Sequence, residues 1–263
     1  MESTINEKLQ SFERLLTVMK ELRAKCPWDK KQTFESLRAN TIEETYELSE
    51  AILGHNMQEI KKELGDLLLH IVFYAEIASE TNDFDIKNVC DALCDKLIFR
   101  HPHVFGTTEA ENSQVVEQNW EQLKLKEKDG NKTVLSGVPS SLPSLIKAYR
   151  IQDKARSVGF DWEQREQVWD KVQEELQELK TEVANADQDK MEGEFGDFLF
   201  SIVNAARLYN INPDTALERT NEKFRKRFNY LESKTISQGK SLHDMTLEEM
   251  DVIWDEAKLT ERK

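Results

Sequence analysis

Two acidic segments recur in this chain at one fixed displacement, and that repetition limits its folds more than any bulk property does. Glu43-Glu44-Thr45-Tyr46-Glu47 returns as Glu174-Glu175-Leu176-Gln177-Glu178, and Glu63-Leu64-Gly65-Asp66 returns as Glu194-Phe195-Gly196-Asp197, each 131 positions later. Self-similarity of this kind describes one folding unit present twice. Downstream the match continues with small shifts. Lys96 and Arg100 in DKLIFRHPHVF correspond to Lys223 and Arg227 in NEKFRKRF, and Trp120 before Glu121 corresponds to Trp254 before Asp255. The densest cluster of turn-forming residues lies between Asp129 and Ser144, which predicts modules over residues 1–128 and 145–263 joined by a linker at 129–144.

Within each module the apolar spacing is helical. Ile60, Leu64, Leu67, Leu68, Ile71, Val72 and Ala75 sustain an i, i+3/i+4 pattern, repeated by Phe195, Phe198, Leu199, Ile202, Val203 and Ala206. These are the predicted buried stripes. Only 9 Gly and 5 Pro among 263 residues, with 33% charged, describe helices joined by few turns, so the expected class is all-α. Gly54-His55-Asn56 and Asn185-Ala186-Asp187 are the predicted breaks between the acidic helices of the two copies. Each module then reads as a bundle of about four helices, with about half of its apolar surface left for a partner to cover. His101-Pro102-His103 is expected to close a helix, since proline cannot continue the α-helical ladder.

The net charge of −14 disfavours bare nucleic acid and anionic membranes as partners, so a phosphate-bearing substrate must enter through a metal ion. No apolar run approaches the length of a membrane span and no leader is apparent, which predicts a cytoplasmic protein. Cys26, Cys90 and Cys94 cannot all pair within one chain and are expected to be reduced core thiols.

The carboxylates carry the chemistry. Residues three apart share a helix face, so Glu175 and Glu178 project together from one helix, as Glu194 and Asp197 do from the next. If the hairpin brings those faces together, four like charges converge and need a cation. An oxygen-only ligand set favours Mg²⁺, with Mn²⁺ able to substitute, over Zn²⁺. A single Glu-Glu-x-x-Glu in a chain with 50 acidic residues is usually a solvated face. Its duplication with a Glu-x-x-Asp at constant distance is not explained that way.

With these residues in view, EETYE followed by ELGDLL, and EELQE followed by EFGDFLF, resemble the signature of the MazG family of all-α NTP pyrophosphatases. CPWDKKQTF, RHPHVF, VGFDW and NEKFRKRF are similar to further marks of its tandem bacterial form. The resemblance implies a Mg²⁺-dependent, ATP-binding hydrolase converting NTP or dNTP to monophosphate and pyrophosphate with broad base specificity, in nucleotide-pool house-cleaning, and working as a homodimer. It implies Glu175, Glu178, Glu194 and Asp197 as metal ligands and Glu174 as a neighbour that tunes them or orients water. Lys171, Lys190, Lys223 and Arg227 would contact phosphates, and Trp254 would stack on a base. In the first module Glu43, Glu44, Glu47, Glu63 and Asp66, with Lys96, Arg100 and Trp120, form a corresponding second site. Asn40 stands where the second module has Lys171, so this site is expected to be weak or structural and the second module the principal catalyst. The alternative is a noncatalytic helical module that senses nucleotides or binds a protein through its acidic face.

Overall fold

The computed structural model describes residues 3–107, 116, 123–124 and 133–260. Helix is the only extended secondary structure among them, and the chain divides into two compact units, 1–116 and 117–263. The first holds α1 (Ile5–Lys25), α2 (Phe34–Leu53), α3 (Met57–Glu80) and α4 (Ile86–Arg100). The second holds α5 (Ser144–Arg156), α6 (Val168–Asn185), α7 (Gln188–Leu208), α8 (Pro213–Ser237) and α9 (Leu247–Thr260). Within the expected linker, Val134–Gly137 forms a 3-10 turn.

Helix boundaries follow the side chains available to cap them. Thr4 and Glu7 bond reciprocally at the start of α1, Thr33 and Ser36 at the start of α2, and Asp85 and Asn88 at the start of α4. Asn56 Oδ1 accepts from the amides of Gln58 and Glu59 to open α3, and Asp187 accepts from the Lys190 amide to open α7. The breaks between the acidic helices fall where the sequence places them. His55 and Ala186 take the left-handed conformation at φ 53° and 55°, reversing the chain so that α2 packs along α3 and α6 along α7. His101 ends α4, its Nδ1 2.6 Å from the Leu97 carbonyl oxygen, and Pro102 opens the next helical turn.

The first core is Met19, Leu37, Val72 and Phe73, where α1, α2 and α3 meet. The second is Val168, Val172 and Ala205 between α6 and α7. Each approach to the acidic hairpin is pinned by an arginine. Arg23 pairs with Glu80 and donates to the carbonyl oxygens of Asp29 and Gln32, whereas Arg207 grips the Asp161 carboxylate with both terminal nitrogens.

Two expectations need correction. The stripes on α3 and α7 are only partly buried: Leu64, Leu68, Ile71, Phe195, Leu199 and Ile202 are exposed, while Val72, Ala75 and Val203 are covered. Both helices are apolar over more than one face, and the helices that pack on them within each unit leave these positions uncovered. Cys90 and Cys94 are exposed and Cys26 half-buried, so none is a core thiol. No residue of α4 is buried, which leaves its cysteines without a core to enter. Among the described residues no helix is long and apolar enough to cross a membrane.

Candidate metal centre

The turns at Gly54–Asn56 and Asn185–Asp187 set the two acidic helices antiparallel, and one helical turn within α3 or α7 sets Glu-x-x-Asp on a common face. Carboxylate oxygens of Glu175, Glu194 and Asp197 all lie within 4.8 Å of one another, and so do those of Glu44, Glu63 and Asp66. The two triplets occupy equivalent positions. Glu178 and Glu47 stand outside the tight triplets, yet Glu178 acts on Glu194 and Glu47 on Glu44 through their charges.

Burial sharpens the electrostatic problem. Glu63 is 4% exposed and Glu175 7%. Burial first, and then the charges of Glu178, Asp197, Glu175 and Glu182, push the Glu194 carboxyl above its ordinary range. Burial, followed by Asp66, Glu47, Glu63 and Glu43, does the same to Glu44. Glu63 and Glu194 also each keep Oε2 buried with no hydrogen-bond partner. A buried carboxylate oxygen without a partner is costly unless a cation meets it. Three converging carboxylates with no nitrogen or sulfur donor fit a hard divalent ion of the Mg²⁺ or Mn²⁺ kind.

Each triplet has one lysine, on opposite walls. Lys171 Nζ lies 2.7 Å from Glu175 Oε1 and 2.9 Å from Glu174 Oε1, and those two bonds raise its ammonium above the ordinary lysine value. The first module has no such lysine on α2. Instead Lys62 Nζ lies 2.9 Å from Glu63 Oε1 on α3.

The remaining candidates are spread more widely. Lys190, one turn ahead of Glu194, pairs with Asp187 at 3.5 Å. Lys223 is exposed on α8. Arg227 lies 6.0 Å over the Trp254 ring, and Phe224, unremarked in the sequence, meets that ring at 5.0 Å. In the first module Glu43 and Lys96 are exposed and Arg100 is half-buried at the end of α4, while Trp120 lies outside the described residues. Beneath the first triplet, Thr41 Oγ1 contacts His70 Nδ1 at 2.9 Å and the Tyr74 hydroxyl at 2.6 Å. Burial lowers the His70 pKa.

Comparison with known proteins follows the same division. The pattern of the MazG nucleotide pyrophosphohydrolase domain matches twice, at residues 32–105 and 163–231. The chain is 42% identical over 260 residues to a nucleoside triphosphate pyrophosphohydrolase of Escherichia coli (strain K12), covering 96% of this chain and 99% of that one. It is 44% identical over 250 residues to the nucleoside triphosphate pyrophosphohydrolase/pyrophosphatase MazG of Thermotoga maritima, covering 94% and 95%. A protein of Bacillus subtilis (strain 168), the uncharacterized YabN, is 44% identical over 263 residues, which is 98% of this chain but 54% of that protein.

Proposed function

The chain belongs to the MazG nucleotide pyrophosphohydrolase family, and from that premise we propose that it is a Mg²⁺-dependent hydrolase of the cytoplasmic nucleotide pool. It splits nucleoside and deoxynucleoside triphosphates between the α- and β-phosphates, releasing monophosphate and pyrophosphate. The observation that carries this reading is the Glu175, Glu194 and Asp197 triplet, with its unpartnered Glu194 Oε2 and the lysine bonded to Glu175.

Glu175, Glu194 and Asp197 hold the cation, with Glu178 as a fourth carboxylate in charge contact with Glu194. When bound, the ion supplies the charge neutralisation that phosphoryl transfer needs and lets a polyphosphate approach an acidic chain. Lys171 then exchanges Glu175 and Glu174 for phosphate oxygens, since an ammonium on a flexible stem serves either partner. Glu174, released in that exchange, would tune the ligands or orient the attacking water. Lys190, Lys223 and Arg227 add positive charge along the phosphate tail. Trp254 offers a stacking face, which every base can use, and so supports broad base specificity.

The second module is the principal catalyst in this reading, because Lys171 sits on its triplet. The modules extend over 1–128 and 145–263. The exposed apolar faces of α3 and α7, on which Leu64 and Leu199 are 53% and 58% exposed, meet a second copy of the chain in a homodimer. Incubation with each NTP and dNTP plus Mg²⁺, with products resolved by chromatography, tests the reaction. Monophosphate and pyrophosphate from several bases is the expected result. Nucleotide binding without turnover would replace it with a noncatalytic sensor.

A further inference from the structure

Cys90 and Cys94 stand one helical turn apart on α4, both exposed, and no residue of that helix is buried. Core packing therefore accounts for neither thiol. Asp85 and Asn88 cap the start of α4 reciprocally, which holds the pair in regular helical register. At this spacing both side chains project from one face, beside Leu93 and Leu97, which are 47% and 41% exposed. Asp91, next to Cys90 in sequence, is bonded to Lys87. Among the described residues only the two carboxylate triplets bring three possible ligands together, so no third donor joins these thiols.

Distance decides what such a pair can do. Side chains at i and i+4 on a helix have Cβ atoms about 5–6 Å apart, whereas a disulfide needs about 3.8 Å. Closing Cys90 onto Cys94 would therefore unwind a turn of α4. A metal ion bridges the longer gap without that distortion. Two bonds of about 2.3 Å, the length of a zinc–thiolate bond, set the sulfurs about 4.6 Å apart across a linear ion. Ligand number and softness then select the ion. Zn²⁺ takes four donors and Mg²⁺ takes oxygens, whereas Cu⁺ prefers thiolates and is satisfied by two.

We propose that Cys90 and Cys94 form a two-coordinate site for a soft monovalent cation of the Cu⁺ class, on the exposed face of α4 and separate from the carboxylate triplets. Each sulfur binds as its thiolate, so filling the site releases the thiol protons to solvent and no electron changes hands. Leu93 and Leu97 on the same face offer no oxygen to a hard ion. The second module has no counterpart. At the displacement that relates Lys96 and Arg100 to Lys223 and Arg227, the two cysteines fall on Leu217 and Asn221.

Anaerobic competition between the full chain and the Cu⁺ chelator bicinchoninate, with ascorbate as reductant, counts the ions. One Cu⁺ per chain is expected, with X-ray absorption showing two sulfur neighbours. Cys90→Ser or Cys94→Ser is expected to weaken binding by at least about 100-fold, the scale of losing one of two thiolates, while Cys26→Ser leaves it unchanged. NTP hydrolysis in Mg²⁺ stays at the wild-type rate in all three. Moving one thiol tests the geometry. Cys94→Ser with Leu93→Cys sets the pair at i, i+3 on the same face and restores binding, whereas Cys94→Ser with Asp95→Cys turns one thiol off that face and does not. Retention of Cu⁺ by either single variant, or equal binding by both relocated pairs, overturns the inference. So does an ion shared between two chains with more than two sulfur neighbours, Zn²⁺ binding as tight as Cu⁺, or a Cys90–Cys94 disulfide formed within the chain on mild oxidation.

Discussion

The α2–α3 and α6–α7 hairpins agree where helix register decides and differ where it does not. Glu44, Glu63 and Asp66 superimpose in role on Glu175, Glu194 and Asp197 because both sets are fixed by one-turn spacings and a short reversal. Beneath them the floors have diverged. The first rests on the hydrogen-bonded Thr41, His70 and Tyr74, while the second has Val172, Ser201 and Ala205 at the equivalent positions, with the Ser201 hydroxyl turned onto the Phe198 carbonyl oxygen. Counter-charge has diverged too, from Lys62 on one wall to Lys171 on the other. Backbone geometry can thus preserve a carboxylate triplet, and the neighbouring Glu47 and Glu178 with it, while the floor and the counter-charge change.

Breaking the ligand sets one at a time gives the largest effect. Glu175→Gln or Asp197→Asn is expected to lower kcat at least 100-fold, on the scale of losing a group that stabilises transition-state charge, with helical circular dichroism unchanged. Glu44→Gln is expected to cost less than tenfold in the same assay; an equal loss would make the two hairpins catalytic equals.

Stability separates the modules next. Arg207 is buried and bidentate to Asp161, so Arg207→Ala takes the cation from a partly solvated carboxylate that keeps the Trp162 amide, and is expected to destabilise the second unit by about 2 kcal/mol. Hydrogen exchange should then accelerate across α6 and α7 and stay unchanged across α1 to α3. Uniform acceleration would show that the units unfold as one.

The smallest effect is in pH. The Glu194 and Glu44 carboxyls are raised above the ordinary value of 4.5, so the folded chain binds more protons than the unfolded one just above that pH. Stability is therefore lost as pH rises through the window from 4.5 to their folded values, and a divalent cation restores it once both are ionised. Mg²⁺ should raise Tm by a few degrees at pH 8, on the order expected for about 1 kcal/mol, and by nothing measurable at pH 4. In the Glu194→Gln chain the increment should shrink; an undiminished one would assign it to the first hairpin.

Much of this was legible from residue order. The duplication, both reversals and the helix-closing His101-Pro102 follow from spacing and turn chemistry, which are local. Placement of the apolar stripes failed in part, because periodicity shows that Leu64 and Leu199 are apolar but not whether the unit has a helix to lay on them. Cys90 and Cys94 misled for the same reason. Lys62 was visible beside Glu63, but alignment at 131 pairs it with Gly193 and so reads it as a difference rather than as a replacement for Lys171. Phe224 is one aromatic among 12 phenylalanines until α9 lays Trp254 against it.

The short reversals at His55 and Ala186 also order events during synthesis. All three carboxylates of a triplet come from one local hairpin, and the corresponding residue of the other lies 131 positions away. At roughly 5–20 residues per second, the N-terminal trio leaves the ribosome on the order of ten seconds before the C-terminal one. The nascent chain thus has one complete acidic hairpin with which to capture an ion while the other is still being translated.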